Sequence, residues 1–275
     1  MKHKILVLDI DGTLTNSKKE ITPATRKAIY ALQENGGIAA IATGRPTSGT
    51  NWLIDELRLR EYNGLIISYN GARIVRPATG EILYNHPFPK QFLPQIVTYA
   101  GEHEVGLITY DCQDNVITAS RVDQYMELES RINNLKIIQV PDLVEAVTFP
   151  INKCLISGEP DLLAPLTEEL AKRYYGVLNI YRSEPFFLEI MPPAIDKAHA
   201  LERLLPSLGI SREECVCCGD GYNDITMLRF AGVGVAMGNA QKEVKESADV
   251  ITLTNDEDGL VPIIEKYFLD DTKTI

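Results

Sequence analysis

The chain alternates between short apolar segments and longer segments in which apolar residues recur every three or four positions. The segments at 4–8 (KILVL) and 38–42 (IAAIA) are rich in aliphatic residues, which is typical of strands buried on both faces of a sheet. Between them, Thr22 and Pro23 are a favourable helix start, and the pair Gly36-Gly37 a favourable helix end. A strand–helix–strand unit of this kind predicts parallel strands joined by a right-handed crossover.

The pattern changes after a third apolar segment, GLIIS at 64–68. Residues 71–85 predict a hairpin that turns at PATG, 77–80. Residues 85–186 then mix short strand-like segments with separate helical ones, which predicts a small α+β insertion.

The parallel pattern resumes at 186–192 (FFLEIMP) and continues as alternating helices and strands to the end of the chain. We therefore predict an α/β fold: a Rossmann-like, mostly parallel sheet with helices on both faces, interrupted by an α+β cap domain. The predicted core domain is discontinuous, comprising residues 1–84 and 187–275, and the predicted cap domain comprises residues 85–186.

Composition and charge restrict the partners of this fold. The chain is 45% hydrophobic and 24% charged, as in ordinary globular proteins, and its net charge of −11 disfavours nucleic acids and anionic membranes as partners. No apolar run approaches the ~20 residues of a membrane span, and the basic N-terminus has too short an apolar part for a signal peptide. We expect a cytoplasmic protein that is a monomer or a weak homodimer, with reduced, buried thiols in the cysteine-rich segment 215–218.

Polar residues recur where the predicted core strands end. In an open parallel sheet, ligands bind outside the carboxyl ends of the strands, so these residues are expected to converge. Lys197 is placed differently, because it opens a helix. The candidates that follow strands are Asp9 with Asp11 and Gly12, Thr43 with Gly44 and Arg45, and Asp220 with Asn223 and Asp224.

The pair Asp9 and Asp11 carries the strongest chemical signal. A lone aspartate after a strand is readily explained as a turn cap, but here a second aspartate and Gly12 follow at once. Two carboxylates packed together raise one pKa unless a cation intervenes. A few hard oxygen ligands favour Mg²⁺, held by protein groups, water and a substrate phosphate.

Four segments of the chain form an ordered set. They are DIDGTLT (9–15), ATGR (42–45), Lys197 in PAIDKAHAL (193–201) and GDGYNDITML (219–228). Together they resemble the motifs of the haloacid dehalogenase-like hydrolases. The insertion between the second and third motifs resembles the Cof-type branch, which carries an α/β cap of the second type. The resemblance runs from Ile5 to about Gly259 and is weakest within the insertion.

The resemblance implies a role for each motif residue. Asp9 would be the nucleophile that forms an aspartyl-phosphate, and Asp11 the general acid and later the general base. Mg²⁺ would be bound by the side chains of Asp9 and Asp220 and the backbone carbonyl of Asp11, while Asp224 would orient Lys197 or a metal-bound water. The implied phosphate-binding residues are Gly12, Thr43, Gly44, Lys197 and Asn223.

Simpler interpretations remain for several of these residues. Thr43, Asn223 and Asp224 could each cap a helix. Arg45 could form a structural salt bridge or contact substrate, and Asn70, in the segment SYNGA, could form a turn or line the cleft. Ala194 and Ala198 stand where the family commonly has glycine.

The resemblance implies a Mg²⁺-dependent phosphatase acting on small phosphorylated metabolites, with sugar phosphates as the favoured class and the cap setting selectivity. A phosphomutase using the same aspartyl-phosphate is the nearest alternative, and a non-enzymic phospho-accepting module is another. A dehalogenase is disfavoured, because Asp11 would have no proton to deliver in that reaction.

Overall fold

The computed structural model describes residues 2–269, which divide into two compact units. The first unit comprises the chain up to Gly44, Asn51–Tyr84 and the chain from Asp196 onward. The second unit comprises Arg45–Thr50 and Asn85–Ile195. The last six residues of the predicted core domain, 270–275, lie outside the described residues.

The regular elements are numbered in chain order. The strands within residues 2–269 are β1 (Ile5–Leu8), β2 (Ile38–Ala42), β3 (Leu65–Ser68), β4 (Arg73–Arg76), β5 (Glu81–Asn85), β6 (Gly106–Tyr110), β7 (Val116–Thr118), β8 (Ile137–Gln139), β9 (Cys154–Ser157), β10 (Asn179–Glu184), β11 (Phe187–Met191), β12 (Cys215–Gly219), β13 (Val233–Ala236) and β14 (Val250–Ile251). The α-helices of the same range are α1 (Pro23–Glu34), α2 (Asn51–Glu56), α3 (Leu93–Glu102), α4 (Gln124–Asn133), α5 (Leu143–Ala146), α6 (Pro160–Arg173), α7 (Lys197–Ser207), α8 (Ile225–Phe230), α9 (Lys242–Lys245) and α10 (Leu260–Ile264).

The sheet of the first unit has the strand order β14-β13-β12-β1-β2-β3-β4-β5. Its strands are parallel from β14 to β3, and the predicted hairpin of β4 and β5 extends it, with β4 antiparallel to β3. Alternate residues of β1 enter two apolar clusters, Leu6 and Leu8 in one and Ile5 and Val7 in the other. Both faces of the strand are therefore buried, which explains its unbroken apolar sequence and confirms the predicted α/β class.

The first crossover helix begins as its sequence predicts. The hydroxyl oxygen of Thr22 accepts a hydrogen bond from the Thr25 N–H, and Pro23 occupies the first turn of α1. Ile29 and Leu32 are buried against the sheet, so α1 covers one of its faces.

The second unit has its own sheet, in the order β10-β11-β9-β6-β7-β8, and its own apolar cluster. The pairs β10–β11, β11–β9, β9–β6 and β6–β7 are antiparallel, whereas the edge pair β7–β8 is parallel. This mixed arrangement of short strands and separate helices agrees with the α+β character expected for the insertion.

One predicted core strand belongs to the other sheet. The sequence pattern of FFLEIMP predicts a strand that opens the second half of the parallel core, but β11 pairs antiparallel with β9 and β10 in the second unit, so this prediction is wrong. All five residues of β11 are buried, so its pattern matches that of a central parallel strand and does not reveal which sheet it joins. The units accordingly divide at 195/196 rather than 186/187, and Arg45–Thr50 also group with the second unit.

The structure shows the state of the cysteines and the character of the helices. The cysteines at 215, 217 and 218 are free and buried in β12, as is Cys154 in β9, whereas Cys112 is exposed. Within the described residues, no helix combines the length and the apolar character that a membrane span requires.

Candidate active site

The candidate site lies where β1, β2, β3 and β12 of the first unit end. Leu8 of β1 is in register with Ile41 of β2 on one side and Cys218 of β12 on the other. The loops that follow these parallel strands therefore begin at the same edge of the sheet. Asp9 follows β1 directly, and its backbone N–H donates to the Cys218 carbonyl at 3.1 Å.

Lys197 is fully buried between two carboxylates. Its Nζ lies 2.7 Å from Asp9 Oδ1 and 2.6 Å from Asp224 Oδ1. Burial alone would lower the pKa of Lys197, but the charges of Asp224 and Asp9 outweigh burial and raise the pKa above its ordinary value. The raised pKa favours the charged form of the lysine. Lys197 is the first residue of α7, a helix that Asp196 caps by accepting a hydrogen bond from the His199 N–H.

Asp224 is held by the loop that contains it. Its Oδ2 accepts the backbone N–H groups of Asp220 at 3.0 Å and Gly221 at 2.9 Å, while its Oδ1 accepts from Lys197. Both oxygens of Asp224 are thus engaged by protein donors. This carboxylate orients Lys197 and shapes the loop after β12.

Three carboxylates share this small space. In the part of the chain that the structure describes, Asp9, Asp220 and Asp224 each offer an oxygen, and these atoms lie within 4.8 Å of one another. Burial and the charge of Asp224 raise the pKa of Asp9 to about 8, although Lys197 opposes the shift. Burial raises the pKa of Asp220 to about 6, against a hydrogen bond from Thr13. One lysine does not neutralise the cluster, so its hard oxygen donors fit a divalent cation.

Gly12 sits where a side chain would collide with this cluster. Its φ is +86°, and a Cβ built on it would lie 2.2 Å from Asp220 Oδ2. The next residue, Thr13, donates its hydroxyl to Asp220 Oδ1 at 2.7 Å. Glycine therefore allows the loop after β1 to approach Asp220 closely enough for this contact.

Asp11 lies apart from the three clustered carboxylates. Its side chain is partly exposed, and its Oδ1 accepts from Lys19 Nζ at 2.9 Å. Residue 11 also forms an isolated parallel bridge with Thr15, which folds the loop back on itself.

The phosphate-binding candidates that follow β2 and β12 are joined through Asn70. The Thr43 carbonyl accepts from the Asn70 N–H at 2.9 Å, and Asn223 Nδ2 donates to Asn70 Oδ1 at 3.1 Å. A Cβ at Gly44 would lie 3.2 Å from the Asn70 amide. Arg45, in contrast, belongs to the second unit, where its guanidinium donates to the Ile132 carbonyl at 3.3 Å.

Sequence reasoning did not single out Asn239, which connects three loops of the site. Its Nδ2 donates to the Gly12 carbonyl at 2.8 Å and lies 3.4 Å from Asp220 Oδ2. Its Oδ1 accepts from the Asn255 N–H at 3.0 Å, and Asn255 Nδ2 donates to the Thr15 carbonyl at 2.8 Å. The sequence does not distinguish Asn239 from other uncharged amides, since the segment AMGNA has no charged residue. Its hydrogen bonds to the loops of the site identify it in the structure.

The fold and the site define a class of protein. A parallel α/β core carries an inserted α+β unit, and a buried carboxylate–lysine–carboxylate arrangement lies at the carboxyl edge of its sheet. Residues 6–264 match the family model described as haloacid dehalogenase-like hydrolase, and the chain belongs to that family.

Individual relatives agree with this assignment and cover nearly the whole chain. A haloacid dehalogenase-like hydrolase from Bacteroides thetaiotaomicron is 45% identical, with a TM-score of 0.92 over 97% of this chain and 100% of that one. The Bacillus subtilis (strain 168) protein named "Putative phosphatase YxeH" is 31% identical over 270 residues, which are 97% of this chain and 99% of the relative. A subclass IIB sugar phosphatase of the same superfamily is 26% identical, with a TM-score of 0.80 over 96% of this chain and 98% of that one. The chain is thus an enzyme of the phosphatase type, in the Cof-type branch of the family.

Proposed function

We propose that this enzyme is a Mg²⁺-dependent phosphatase that hydrolyses small phosphorylated metabolites through an aspartyl-phosphate on Asp9. The observation that carries the proposal is the placement of Asp9, which lies 2.7 Å from the buried Lys197 and within one cluster with Asp220. A carboxylate held beside a fixed cation is suited to attack a phosphorus atom whose own oxygens are negative.

The first half of the reaction transfers the phosphoryl group to the protein. A carboxylate oxygen of Asp9 forms a bond to phosphorus as the bond from phosphorus to the ester oxygen breaks. Asp11 gives its proton to that leaving oxygen, so the product leaves as an alcohol. Before this step Asp11 leaves Lys19 and takes up the proton that it donates, from solvent in the first turnover and from the attacking water in later ones. Leaving Lys19 costs little, because an exposed ion pair contributes about 0–1 kcal/mol.

The second half regenerates the enzyme. The Asp11 carboxylate takes a proton from water, the water oxygen bonds to phosphorus, and the bond to Asp9 breaks to release inorganic phosphate. Lys197 stays charged throughout, since Asp224 holds it in place after the charge of Asp9 is consumed. The side chains of Asp9 and Asp220, with the Asp11 carbonyl, would hold Mg²⁺, which when bound neutralises charge on the transferring oxygens.

We assign phosphate contacts to Gly12, Thr43, Gly44, Lys197 and Asn223, and selectivity for the leaving group to the second unit. Sugar phosphates are the favoured substrate class, supported by the similarity to the subclass IIB sugar phosphatase. We also propose a cytoplasmic enzyme, a monomer or weak homodimer. The net charge of −11 supports a substrate that is a small molecule rather than a nucleic acid.

The nucleophile is tested with Asp9→Asn and an aryl phosphate, with released inorganic phosphate as the readout. Turnover should fall to the background of the assay while the circular dichroism spectrum is retained. Asp55→Asn, on the exposed face of α2, is the matched control and should keep wild-type turnover. Wild-type rates in Asp9→Asn would remove Asp9 from this role. When a sugar phosphate replaces the aryl phosphate as substrate, an isomerised sugar phosphate in place of inorganic phosphate would indicate a mutase.

The metal is tested separately. EDTA should stop turnover, and Mg²⁺ in excess of the chelator should restore it, because the carboxylate cluster is otherwise left with uncompensated charge. Turnover that is indifferent to both additions would contradict the metal assignment.

A further inference from the structure

The connection from β3 to β4 has an unusual backbone. Three consecutive residues have positive φ: Tyr69 at 52°, Asn70 at 51° and Gly71 at 104°. Glycine and asparagine tolerate this region, but for a bulky residue such as Tyr69 it is a true outlier. Such conformations persist only where the surroundings enforce them, and they concentrate at functional sites.

The neighbours of this connection are parts of the candidate site. The Asn70 N–H donates to the carbonyl of Thr43 at 2.9 Å, which ties the connection to the loop after β2. On the other side, a Cβ at Gly71 would lie 2.3 Å from the Asp196 carbonyl, at the start of the helix that carries Lys197. The strained segment is therefore packed between the second and third motifs of the site.

The side chain of Asn70 is directed into the same region. The residue is only 7% exposed, and its Oδ1 accepts from Asn223 Nδ2 at 3.1 Å. Its amide also lies against Gly44, where a Cβ would approach it to 3.2 Å. Asn70 thus contacts two residues to which the proposed function assigns phosphate binding.

We infer that Asn70 is a positioning residue that orients the Asn223 amide for the phosphate. A side-chain amide has two N–H donors. Asn70 accepts one of them, which fixes the plane of the Asn223 amide and leaves its second donor for a phosphate oxygen. This inference rests on the proposed function, and it gives the left-handed backbone at residue 70 a purpose beyond forming a turn.

The variant Asn70→Gly tests the side-chain amide separately from the backbone conformation. It removes the amide, while glycine adopts the same φ without strain. We expect a thermal midpoint equal to or above that of the wild type. Turnover of an aryl phosphate should show kcat/KM lower by about tenfold, and the inhibition constant of inorganic phosphate should rise by a similar factor, the order expected for one polar hydrogen bond.

Asn63→Gly is the matched control. Asn63 also has a φ of 53° but lies exposed in the loop before β3, so its replacement relieves the backbone in the same way. Its kinetics should equal those of the wild type. If Asn70→Gly also keeps wild-type kinetics, or lowers the thermal midpoint without changing phosphate inhibition, Asn70 is only a turn residue and the inference is overturned.

A double-mutant cycle with Asn223→Ala tests whether Asn70 acts through Asn223. The double variant should be no slower than Asn223→Ala alone, because the oriented group is already absent. Losses that multiply would mean that Asn70 acts independently, which overturns the inference. A wild type that neither turns over aryl phosphate nor is inhibited by inorganic phosphate overturns the proposed function itself, and the inference with it.

Discussion

At the scale of single residues, the site is defined by a shortage of positive charge. Lys197 is shared by Asp9 and Asp224, and Asp220 adds a third carboxylate nearby. Burial, and after it the charge of Asp224, raises the pKa of Asp9 to about 8, although Lys197 opposes the shift. We therefore expect Asp9, the proposed nucleophile, to need a bound cation in order to be ionised at neutral pH.

This imbalance predicts how the metal-free protein responds to pH. The pKa of Asp9 is near 3.8 when unfolded and about 8 when folded, so between these values the folded state retains a proton that the unfolded state has lost. The free energy of unfolding therefore falls as pH rises from about 4 to 8. Asp9→Asn removes that loss.

The measurement is the thermal midpoint in EDTA at pH 5 and pH 8. At pH 8, the thermal midpoint of Asp9→Asn should exceed that of the wild type by several degrees, since each kcal/mol shifts the midpoint by about 2–4 °C. At pH 5 the difference should be smaller. Asp55→Asn should change the midpoint at neither pH. An advantage of Asp9→Asn that is equal at both pH values would contradict the charge imbalance.

The close approach of Gly12 to Asp220 can be tested with Gly36 as a matched control. Gly12 and Gly36 both have a φ of +86°, but a Cβ at Gly36 would meet nothing within 4 Å. Alanine at either position should lower the free energy of unfolding by about 1 kcal/mol, because its side chain disfavours a positive φ. Only Gly12→Ala should also lose turnover and Mg²⁺ affinity, because its Cβ collides with Asp220. Equal turnover in the two variants would show that the approach to Asp220 is unimportant.

At the scale of elements, the site depends on loops from strands that are distant in sequence. Asn239, after β13, holds the Gly12 carbonyl, and Asn255, after β14, holds the Thr15 carbonyl. The loop after β1 is therefore supported from the far edge of the sheet rather than by its own residues alone.

Loss of this support should weaken metal binding. Asn239→Ala should raise the Mg²⁺ concentration for half-maximal turnover by about 10-fold or more, a common effect of removing groups that orient metal ligands. Calorimetric titration of the protein with Mg²⁺ provides a readout independent of turnover. Asn35→Ala removes a comparable amide contact, to the Ala31 carbonyl at 2.8 Å at the end of α1, and should leave Mg²⁺ affinity unchanged.

The apolar pattern of the sequence predicts the parallel core but not the sheet to which each strand belongs. Continuous apolar runs identify the core strands, because few other elements have short, unbroken apolar sequences. The same criterion misplaced β11, since its burial resembles that of a core strand while its hydrogen bonds join the other sheet. The motifs predict the charged residues of the site, and they leave open whether Asn70 forms a turn or lines the cleft. They do not predict Asn239, because the partners of a neutral amide are set only by folding.

At the scale of the whole molecule, each unit has its own apolar core. The second unit also encloses an ion pair, in which Lys153 Nζ lies 3.1 Å from Glu189 and the two side chains are 4% and 7% exposed. Burial raises the pKa of Glu189, and Lys153 opposes this shift. The pair is a structural element of the inserted unit.

Breaking this pair should destabilise the second unit specifically. Lys153→Met should cost about 3–5 kcal/mol, since it leaves the Glu189 carboxylate buried without its cation, and Lys153→Met with Glu189→Leu should recover most of that loss. Differential scanning calorimetry measures both. Lys242→Met is the control, because the pair of Lys242 with Glu246 is exposed and should contribute less than about 0.5 kcal/mol. Equal losses in Lys153→Met and Lys242→Met would show that the buried pair contributes little.

The folded protein has one exposed thiol among its five cysteines. Cys112 is exposed, whereas Cys154 is buried in β9 of the second unit, and Cys215, Cys217 and Cys218 are buried in β12 of the first. A thiol-specific dye should therefore label one position per native chain in the second unit and five per denatured chain. Counting labelled sulfurs would follow the opening of either core without touching any residue of the reaction.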